Sequence, residues 1–551
     1  MIVPFVFSLN PEKRFELDWV YYKFTSFCCK YDYPIIAQER YDFSIHDHFV
    51  NNKVFLDEPQ HNWTDVICFR EEQDKYIDKY FIPESISNTI INKYGSEESA
   101  YINYLIGENL ELEAFLDETI LKIEKKYERK ITAFLNWNTS ESLKKVADKH
   151  GIKVIHLELA PVRKYNYFHL GYFDFKGVHT VNSLEEQYYD FAKKNIDLPM
   201  LSNKELLALF LDREYLEYVY LLEREPEFKI GVVSSGKKNY FDIVRNNCDS
   251  NTLLTKTVEN FDVKDILFRL HPADPLKKQL KGELDNKWNF DDSRSSLEFI
   301  LKCESIANIS SNMAFEAMLL GKKVYNLGKS PYQFCNLKDF DDKSEFKNIN
   351  KFLNFVLFGY MIPFTFINDA QYLLWRCSEP NIEEIYLKNF RYYINKLNID
   401  EKILLNKSDK RLQLILDKKG FSLKKSAEKY FLCIQDCHAK TEQLSEQCNK
   451  ISNYISLNNQ LQTESNNYKE QIRKLSEEKN YLYKQIEESN NECQVLRKQN
   501  ADSLVIINEL DKEKNDILLM YNSISNSTIW RITKPLRDIL DCIKKLKGKG
   551  F

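Results

Sequence analysis

Short apolar runs alternate with amphipathic stretches along the first 420 residues of the chain. The runs are typical of buried strands, and the stretches between them repeat apolar residues at helical spacing. Strands that alternate with helices predict a parallel sheet with crossover helices. The predicted strands span residues 1–7, 129–136, 153–157, 228–233, 265–270, 305–309 and 323–327, and helices are predicted over 140–150 and 312–320.

This alternating region is too long for a single sheet, and residues 201–226 have the pattern of a helical connection. We therefore predict an α/β fold with two Rossmann-like domains, over 1–220 and 221–345, followed by a helical return segment over 346–420. In open sheets of this kind, ligands bind at the carboxyl ends of the strands.

The following region has the pattern of a coiled coil over residues 421–526. Neither Gly nor Pro interrupts it, and an unbroken heptad repeat extends from Leu444 to Ile524, which is 81 residues or about 120 Å of helix. One set of core positions, starting at Ile451, is mostly polar, and the other, starting at Tyr454, is mostly apolar. The repeat predicts either simple oligomerisation or a rod that acts as a spacer of fixed length.

The tail over residues 527–551 is basic and amphipathic. It is typical of an interfacial membrane helix or of a peptide that docks to a partner protein, and a functionless end is the third alternative. The candidate docking residues are Trp530, Arg531, Lys534, Pro535 and Arg537.

Charge and cysteine content exclude several classes of protein. With 78 Lys and Arg against 82 Asp and Glu, the 551-residue chain has a net charge of −4, so it has no global basic field for nucleic acid. Its 12 Cys include no C-x-x-C pair, which disfavours zinc. Without a secretory leader, scattered cysteines indicate a reducing cytoplasm.

One uncharged segment, residues 352–368, is too short and too interrupted to span a membrane. It is predicted to be a buried helix and turn, with an aromatic patch on a membrane surface as the alternative.

Three predicted strand ends carry residues with possible chemistry. Glu158 leaves an apolar strand beside a proline turn, where a carboxylate can act as a base or nucleophile, although an ordinary surface Glu fits the pattern as well. His271, in a strand-end His-Pro, can donate to an anion. Ser310, Ser311 and Asn312 open a helix that contains Glu316, which is typical of a phosphate site or of a simple N-cap.

A fourth candidate, residues 231–238, matches the spacing of a phosphate-binding P-loop except at its end. Lys238 stands where Ser or Thr would ligate magnesium, and Gly231 is predicted to lie inside a strand. A P-loop nucleotide kinase is therefore disfavoured.

The His-Pro and Ser-Ser strand ends together resemble the nucleotide site of bacterial GT-B transferases that use CMP-activated acid sugars. Residues 158–163 and 172–178 narrow this resemblance to the retaining β-Kdo transferases related to capsule-polysaccharide synthesis proteins, which use CMP-Kdo. Residues 528–537 resemble a terminal signature of coiled-coil polysaccharide enzymes. The resemblance of the head covers roughly residues 150–335.

This resemblance implies a GT-B-like fold, with acceptor in the first Rossmann-like domain and nucleotide sugar in the second. It implies a role for the following residues: Glu158, His271, Asp174 and Asp242 in catalysis, and Arg163, Arg269, Pro272, Ser310, Ser311, Asn312 and Glu316 in binding the nucleotide sugar. The retaining relatives are expected to carry a nucleophilic carboxylate after the first strand of the second domain. Here the nearest acid is Asp242. Either Asp242 or Glu158 takes the role of nucleophile, or the mechanism differs, or the donor does, and the stereochemical outcome stays open.

The predicted function is transfer of Kdo, or a related acid sugar, from a CMP donor to a lipid-linked bacterial glycan, either O-antigen or capsule. Neither a metal nor a cofactor is expected. We expect a cytoplasmic homo-oligomer at the inner membrane that binds, through its tail, the membrane or a polysaccharide assembly or export complex. The rod indicates a chain terminator with a spacer, and the alternative is a non-catalytic scaffold that binds the CMP sugar.

Overall fold

The structure is a computed structural model. It describes residues 1–9, 14–41, 77–163, 166–194, 197–235, 249–271, 288–293, 295–405 and 410–526, together with Asp538, Leu540 and Asp541 of the tail. The chain divides into two compact units, Met1–Tyr430 and Phe431–Phe551.

The first sheet is built mainly from the N-terminal part of the chain. Its strands are β1 (Ile2–Val6), β2 (Ile35–Gln38), β3 (Lys79–Ile82), β4 (Ala133–Trp137), β5 (Lys153–Leu159), β6 (Leu170–Asp174) and β12 (Ile362–Pro363). Their order is β12-β6-β5-β4-β1-β2-β3. The strands from β5 to β3 are parallel, and β6 and β12 are antiparallel additions at one edge.

Helices cover this sheet and come from the crossovers between its strands. They are α1 (Arg14–Tyr31), α2 (Glu84–Tyr94), α3 (Glu97–Ile106), α4 (Leu110–Tyr127) and α5 (Glu141–Lys149). The sequence at the start of α5 explains why the helix begins there. The Ser140 hydroxyl accepts a hydrogen bond from the Leu143 N–H and so caps the helix. Every residue of β1 and β2 is buried, as expected for central parallel strands.

The second sheet is entirely parallel, in the order β11-β10-β7-β8-β9. Its strands are β7 (Phe228–Val233), β8 (Ile266–Arg269), β9 (Asn289–Phe290), β10 (Cys303–Asn308) and β11 (Lys323–Asn326). The helices between the two sheets are α6 (Leu184–Lys193), α7 (Asn203–Phe210) and α8 (Tyr218–Leu221), and those of the second sheet are α9 (Ser250–Asn260), α10 (Ser296–Lys302) and α11 (Met313–Leu319).

The return segment is helical and largely buried. It comprises α12 (Ile349–Asn354), a π-helix (Phe355–Tyr360), strand β12, and then α13 (Ala370–Cys377), α14 (Ile382–Lys396), α15 (Glu401–Leu405) and α16 (Lys410–Lys418). All six residues of the π-helix are buried. The buried alternative for residues 352–368 is therefore confirmed, and the membrane-surface alternative is wrong.

A single helix, α17 (Leu423–Asn526), fills the region predicted to be a coiled coil. The long helix is thus confirmed, while its pairing with other copies stays a prediction. Among the helices that the structure describes, none combines the length and apolar content needed to cross a membrane.

The α/β class with two Rossmann-like sheets and a long C-terminal helix is confirmed. Residues of α6, α7 and α8 share a hydrophobic core with one face of the second sheet and with the return segment. The predicted domain boundaries stay predictions.

Candidate functional site

The second sheet has a topological switch point between β7 and β10. From β7 the chain proceeds to β8 on one side and later returns to β10 on the other side. A crevice forms at the carboxyl ends of strands at such a point, and it is the usual ligand site of an open α/β sheet. The loops there begin at Ser234 after β7 and at Ile309 after β10, and His271 lies after the neighbouring β8.

The loop after β10 is held from within the sheet. The Asn308 side-chain oxygen accepts a hydrogen bond from the Ser311 N–H at 2.9 Å, and the Ser311 hydroxyl accepts one from the Met313 N–H at 3.2 Å. Asn312 is the N-cap residue of α11 and its side chain makes no capping hydrogen bond, so the simple N-cap predicted as the alternative does not form. The Ser311 hydroxyl instead accepts from the first N–H of the helix. Ser310, Ser311 and Asn312 are all partly exposed, so this loop has polar groups at the surface beside the crevice.

His271 is held beside this crevice by its backbone. Its N–H donates to the Ser234 hydroxyl at 3.0 Å, and the Ser234 N–H donates to the Arg269 carbonyl at 3.1 Å. These bonds join the ends of β7 and β8. Since His271 itself is exposed, its side chain lies at the rim rather than in the core.

Arg269, which is predicted to bind the nucleotide sugar, makes an ion pair and hydrogen bonds within the protein. Its guanidinium pairs with the fully buried carboxylate of Asp291 and donates to the Ser293 carbonyl at 3.2 Å. Much of its charge is therefore neutralised before any ligand binds.

Glu316 lies on α11 with only 9% of its surface exposed. Its carboxylate accepts a hydrogen bond from the Ser296 hydroxyl at 2.8 Å, and burial raises the pKa of Glu316, partly offset by that bond and by Arg163. Arg163 is exposed after β5, in the first domain. The charge of Arg163, which follows the first sheet, therefore acts on the carboxyl group of Glu316 on α11, while their expected places near the sugar carboxylate and the nucleotide stay predictions.

Glu158 ends β5 of the first sheet with 18% of its side chain exposed. One carboxylate oxygen accepts from the Leu159 N–H at 2.8 Å, and the other lies 3.9 Å from Nε2 of His179. His179 has a φ of +56°, a conformation that residues other than glycine rarely adopt. His179 was not identified from the sequence, because only the folded loop brings it to Glu158.

Asp174 is buried at the end of β6 and acts as an internal acceptor. Its carboxylate accepts hydrogen bonds from Lys176 N–H, Gly177 N–H, Ser183 N–H and hydroxyl, and the Tyr360 hydroxyl. These contacts fix the loop that carries His179 and tie it to the π-helix. The expected role of Asp174 in catalysis stays a prediction.

Tyr172 connects the carboxyl ends of the two sheets. It lies opposite Glu158 in the register of β5 and β6, and its hydroxyl donates to the Asn312 side-chain oxygen at 3.2 Å and also contacts the Tyr332 hydroxyl. Burial raises the pKa of both phenols. Both groups therefore stay neutral donors, and they hold the strand of Glu158 against the loop that contains Ser310.

His156 lies on the same strand face as Glu158, two residues earlier. Its Nδ1 contacts the Asn138 carbonyl at 2.9 Å, and its Nε2 is buried without a hydrogen-bond partner. Burial lowers the pKa of His156. The sequence offered no sign of this, since a histidine in an apolar strand gives no indication of which atoms will be buried.

Several predicted residues lie outside the described part of the chain. They are Asp242, Pro272, Trp530, Arg531, Lys534, Pro535 and Arg537, and the end of the P-loop-like segment lies there too. Gly231 is inside β7, as predicted, where an added Cβ would meet the Cys303 sulfur at 2.7 Å. It therefore serves close packing of the sheet.

Among the described residues, no group of His, Cys, Asp and Glu has the arrangement of a metal site. At the carboxyl end of the first sheet lie the carboxylate of Glu158 and the imidazole of His179. At the carboxyl end of the second sheet lie the hydroxyls and amides around Ser310 and the imidazole of His271. The first set can move protons, and the second can bind an anion.

Residues 13–183 match the family model described as the glycosyltransferase 99 family N-terminal domain. The predicted glycosyltransferase resemblance is confirmed. The matched segment contains Glu158, Arg163 and Asp174. It overlaps the predicted region of resemblance only at its end and extends it toward the N-terminus, where the sequence had offered little.

Solved structures similar to the chain include two from Thermosulfurimonas dismutans, described as KpsC β-Kdo 2,7 transferase and KpsC β-Kdo 2,4 transferase. They are 17% and 12% identical, cover 45% of this chain and 82% and 88% of their own, and each has a TM-score of 0.33. A Methanocaldococcus jannaschii UDP-GlcNAc 2-epimerase is 13% identical, with coverage of 65% and 98% and a TM-score of 0.24. Comparison with curated protein sequences gives no match.

Proposed function

We propose that the protein transfers Kdo, or a related acid sugar, from a CMP-activated donor to a bacterial surface glycan such as O-antigen or capsule. The main support is the position of two loops at the carboxyl end of the second sheet. His271 follows β8 and Ser310–Ser311 follows β10, and these strands lie on either side of β7, which Ser234 follows. Parallel neighbours are about 4.8 Å apart, so these loops are separated by roughly 10 Å, a span that one nucleotide phosphate and its sugar can bridge.

In the proposed reaction the bond between the anomeric carbon and the phosphate oxygen breaks, and its electron pair stays on the CMP phosphate. Hydroxyl, amide and imidazole donors around Ser310 and His271 stabilise that charge. The acceptor oxygen bonds to the sugar and gives up its proton to a base, for which Glu158 is the candidate. Protein donors suffice for this charge, so the proposal includes neither a metal nor a cofactor.

The first test is CMP release by the full chain, given CMP-Kdo and fragments of the native glycan, with and without a chelator. Release that depends on acceptor, survives the chelator and is lost in His271→Ala supports a metal-independent transferase. CMP binding without turnover would favour the alternative, a CMP-sugar-binding scaffold. No binding of CMP would overturn the assignment of this crevice as a CMP site.

We also propose that α17 pairs with other copies of the chain. Its heptad core positions are exposed in the single chain, including Leu461 at 55%, Leu475 at 64% and Leu482 at 51%. Apolar side chains at such spacing are buried by neighbouring helices in coiled coils. Sedimentation should show an oligomer that Leu482→Asp weakens and that Lys484→Asp, two residues away on the outer face, leaves intact. A monomeric wild type would contradict this.

As a spacer, the rod would set how far a chain-terminating head reaches from the membrane or assembly complex that binds the tail. Deleting residues 472–485 removes two whole heptads, about 21 Å of helix, and preserves the repeat. We expect a shifted glycan length distribution, and an unchanged one would exclude a spacer. Loss of membrane or partner binding in Trp530→Ala would support docking by the tail.

A further inference from the structure

The loop after β11 lies directly beside the Ser310–Ser311 loop. Strands β10 and β11 are parallel neighbours, so both loops leave the same edge of the sheet. Two backbone hydrogen bonds join them: Leu327 N–H donates to the Asn308 carbonyl at 2.9 Å, and Gly328 N–H donates to the Ile309 carbonyl at 3.1 Å. The two loops therefore form one continuous surface.

Three buried asparagines tie these loops together. Asn326 donates to the Ile309 carbonyl at 2.9 Å in one loop and to the Ser330 hydroxyl at 2.8 Å in the other. The Asn326 side-chain oxygen accepts from Asn308 at 3.4 Å and from Asn336 at 3.3 Å. Asn308 and Asn326 are fully buried and Asn336 is 8% exposed.

A buried amide network is costly unless each group finds a partner, and when satisfied it fixes one conformation. Here the fixed conformation is that of the two loops, since Asn308 also holds the Ser311 N–H and Ser330 also accepts from the Tyr332 N–H at 3.2 Å. The same network therefore sets the groups on both sides of the β10 strand end.

A cation beside these hydroxyls would strengthen the binding of a phosphate at this edge. Lys329 is exposed and lies between Gly328 and Ser330 on the fixed second loop. An ammonium group there is placed to bind an anion held by Ser310 and Ser311.

We propose that the Gly328–Ser330 loop is the second half of the donor phosphate site and that Lys329 is its cation. This inference rests on the proposed function. When the sugar leaves, the negative charge on the CMP phosphate increases, so Lys329 stabilises the departing nucleotide as well as the bound donor.

The test is calorimetry of the full-length protein with CMP and with cytidine, which lacks the phosphate. Lys329→Ala should weaken CMP binding about tenfold, the size of one charge-assisted hydrogen bond, and leave cytidine binding unchanged. Lys329→Arg should retain most of the affinity. Lys323→Ala, at the other end of β11, is the matched control and should bind CMP like the wild type.

The outcomes distinguish the role of Lys329 from the proposed function. If the wild type binds CMP and Lys329→Ala binds it equally well, the proposed role of Lys329 is overturned and the proposed function stands. If the wild type binds another nucleoside monophosphate but not CMP, and Lys329→Ala weakens that binding, the phosphate site stands and the donor is corrected. Absence of binding to any nucleoside monophosphate overturns both.

Discussion

The carboxyl ends of the two sheets differ in how their functional groups are held. At the first sheet the carboxylates are engaged by the protein, with Asp174 buried under five hydrogen bonds and Glu158 bonded to its neighbouring N–H. At the second sheet, buried amides fix the backbone while Ser310 and His271 keep exposed surface. The first edge orients charged side chains, and the second holds polar groups at the surface, where the proposed donor would bind.

In the proposed reaction, this difference separates the groups that move protons from the groups that bind the donor. A carboxylate that must accept a proton benefits from a fixed orientation and limited water, whereas an anion site needs donors left available to the ligand. Variants at the first edge should therefore change turnover or stability, and those at the second should change affinity.

The largest effect is expected at Glu158. Glu158→Gln keeps the side-chain shape but removes the base, so kcat should fall by about 10²–10⁴-fold while CMP affinity is retained. Steady-state CMP release and calorimetry measure the two. Glu185→Gln, an exposed residue on α6, should leave both unchanged. Activity near that of the wild type in Glu158→Gln would assign the base elsewhere.

Asp174→Ala should destabilise the head by about 3 kcal/mol, because the donors from Ser183 and Tyr360 lose their buried acceptor. Urea denaturation followed by tryptophan fluorescence measures this change. Asp190→Ala removes an exposed carboxylate of α6 and provides the reference. Equal stability of the two variants would show that Asp174 does not anchor its loop.

Burial lowers the pKa of His156 below its ordinary value of 6.5. The unfolded chain therefore takes up a proton as the pH falls below 6.5, while the folded chain does not until a lower pH. Stability is lost in that window, by up to about 1.4 kcal/mol per pH unit for one group. Denaturation between pH 7.5 and 5.5 should show a shallower decline in His156→Gln; parallel curves would contradict it.

The smallest effect is expected at Tyr172, which joins the carboxyl ends of the two sheets. Tyr172→Phe removes the hydroxyl that contacts Asn312 and Tyr332, a loss of about 1 kcal/mol, so kcat/KM should fall about fivefold. Tyr393→Phe is a matched control, because its buried hydroxyl has no hydrogen-bond partner. If both variants retain full activity, the contact does not couple the edges.

Much of the fold follows from patterns local in sequence. The predicted strand over 228–233 coincides with β7, and the predicted helix over 140–150 contains α5. Strand ends are visible in the same way, so Glu158, His271 and Ser310 were identified as candidates. The antiparallel strand β12 was missed, since two residues in a predicted helical segment carry no period of their own.

Contacts between distant segments could not be predicted. His179 reaches Glu158 through a loop with positive φ, and Tyr360 reaches Asp174 from 186 residues away. The ion pair between Arg269 and the buried carboxylate of Asp291 could not be predicted either, because it joins residues from two different loops.

The sequence by itself determined the alternation of strands and helices, the long helix and the identity of the strand-end residues, because these depend on periodicity and local chain chemistry. The tertiary structure decided which of those residues are occupied by the protein and which face the crevice. Hydrogen bonds and burial depend on neighbours that only the packed sheets bring together.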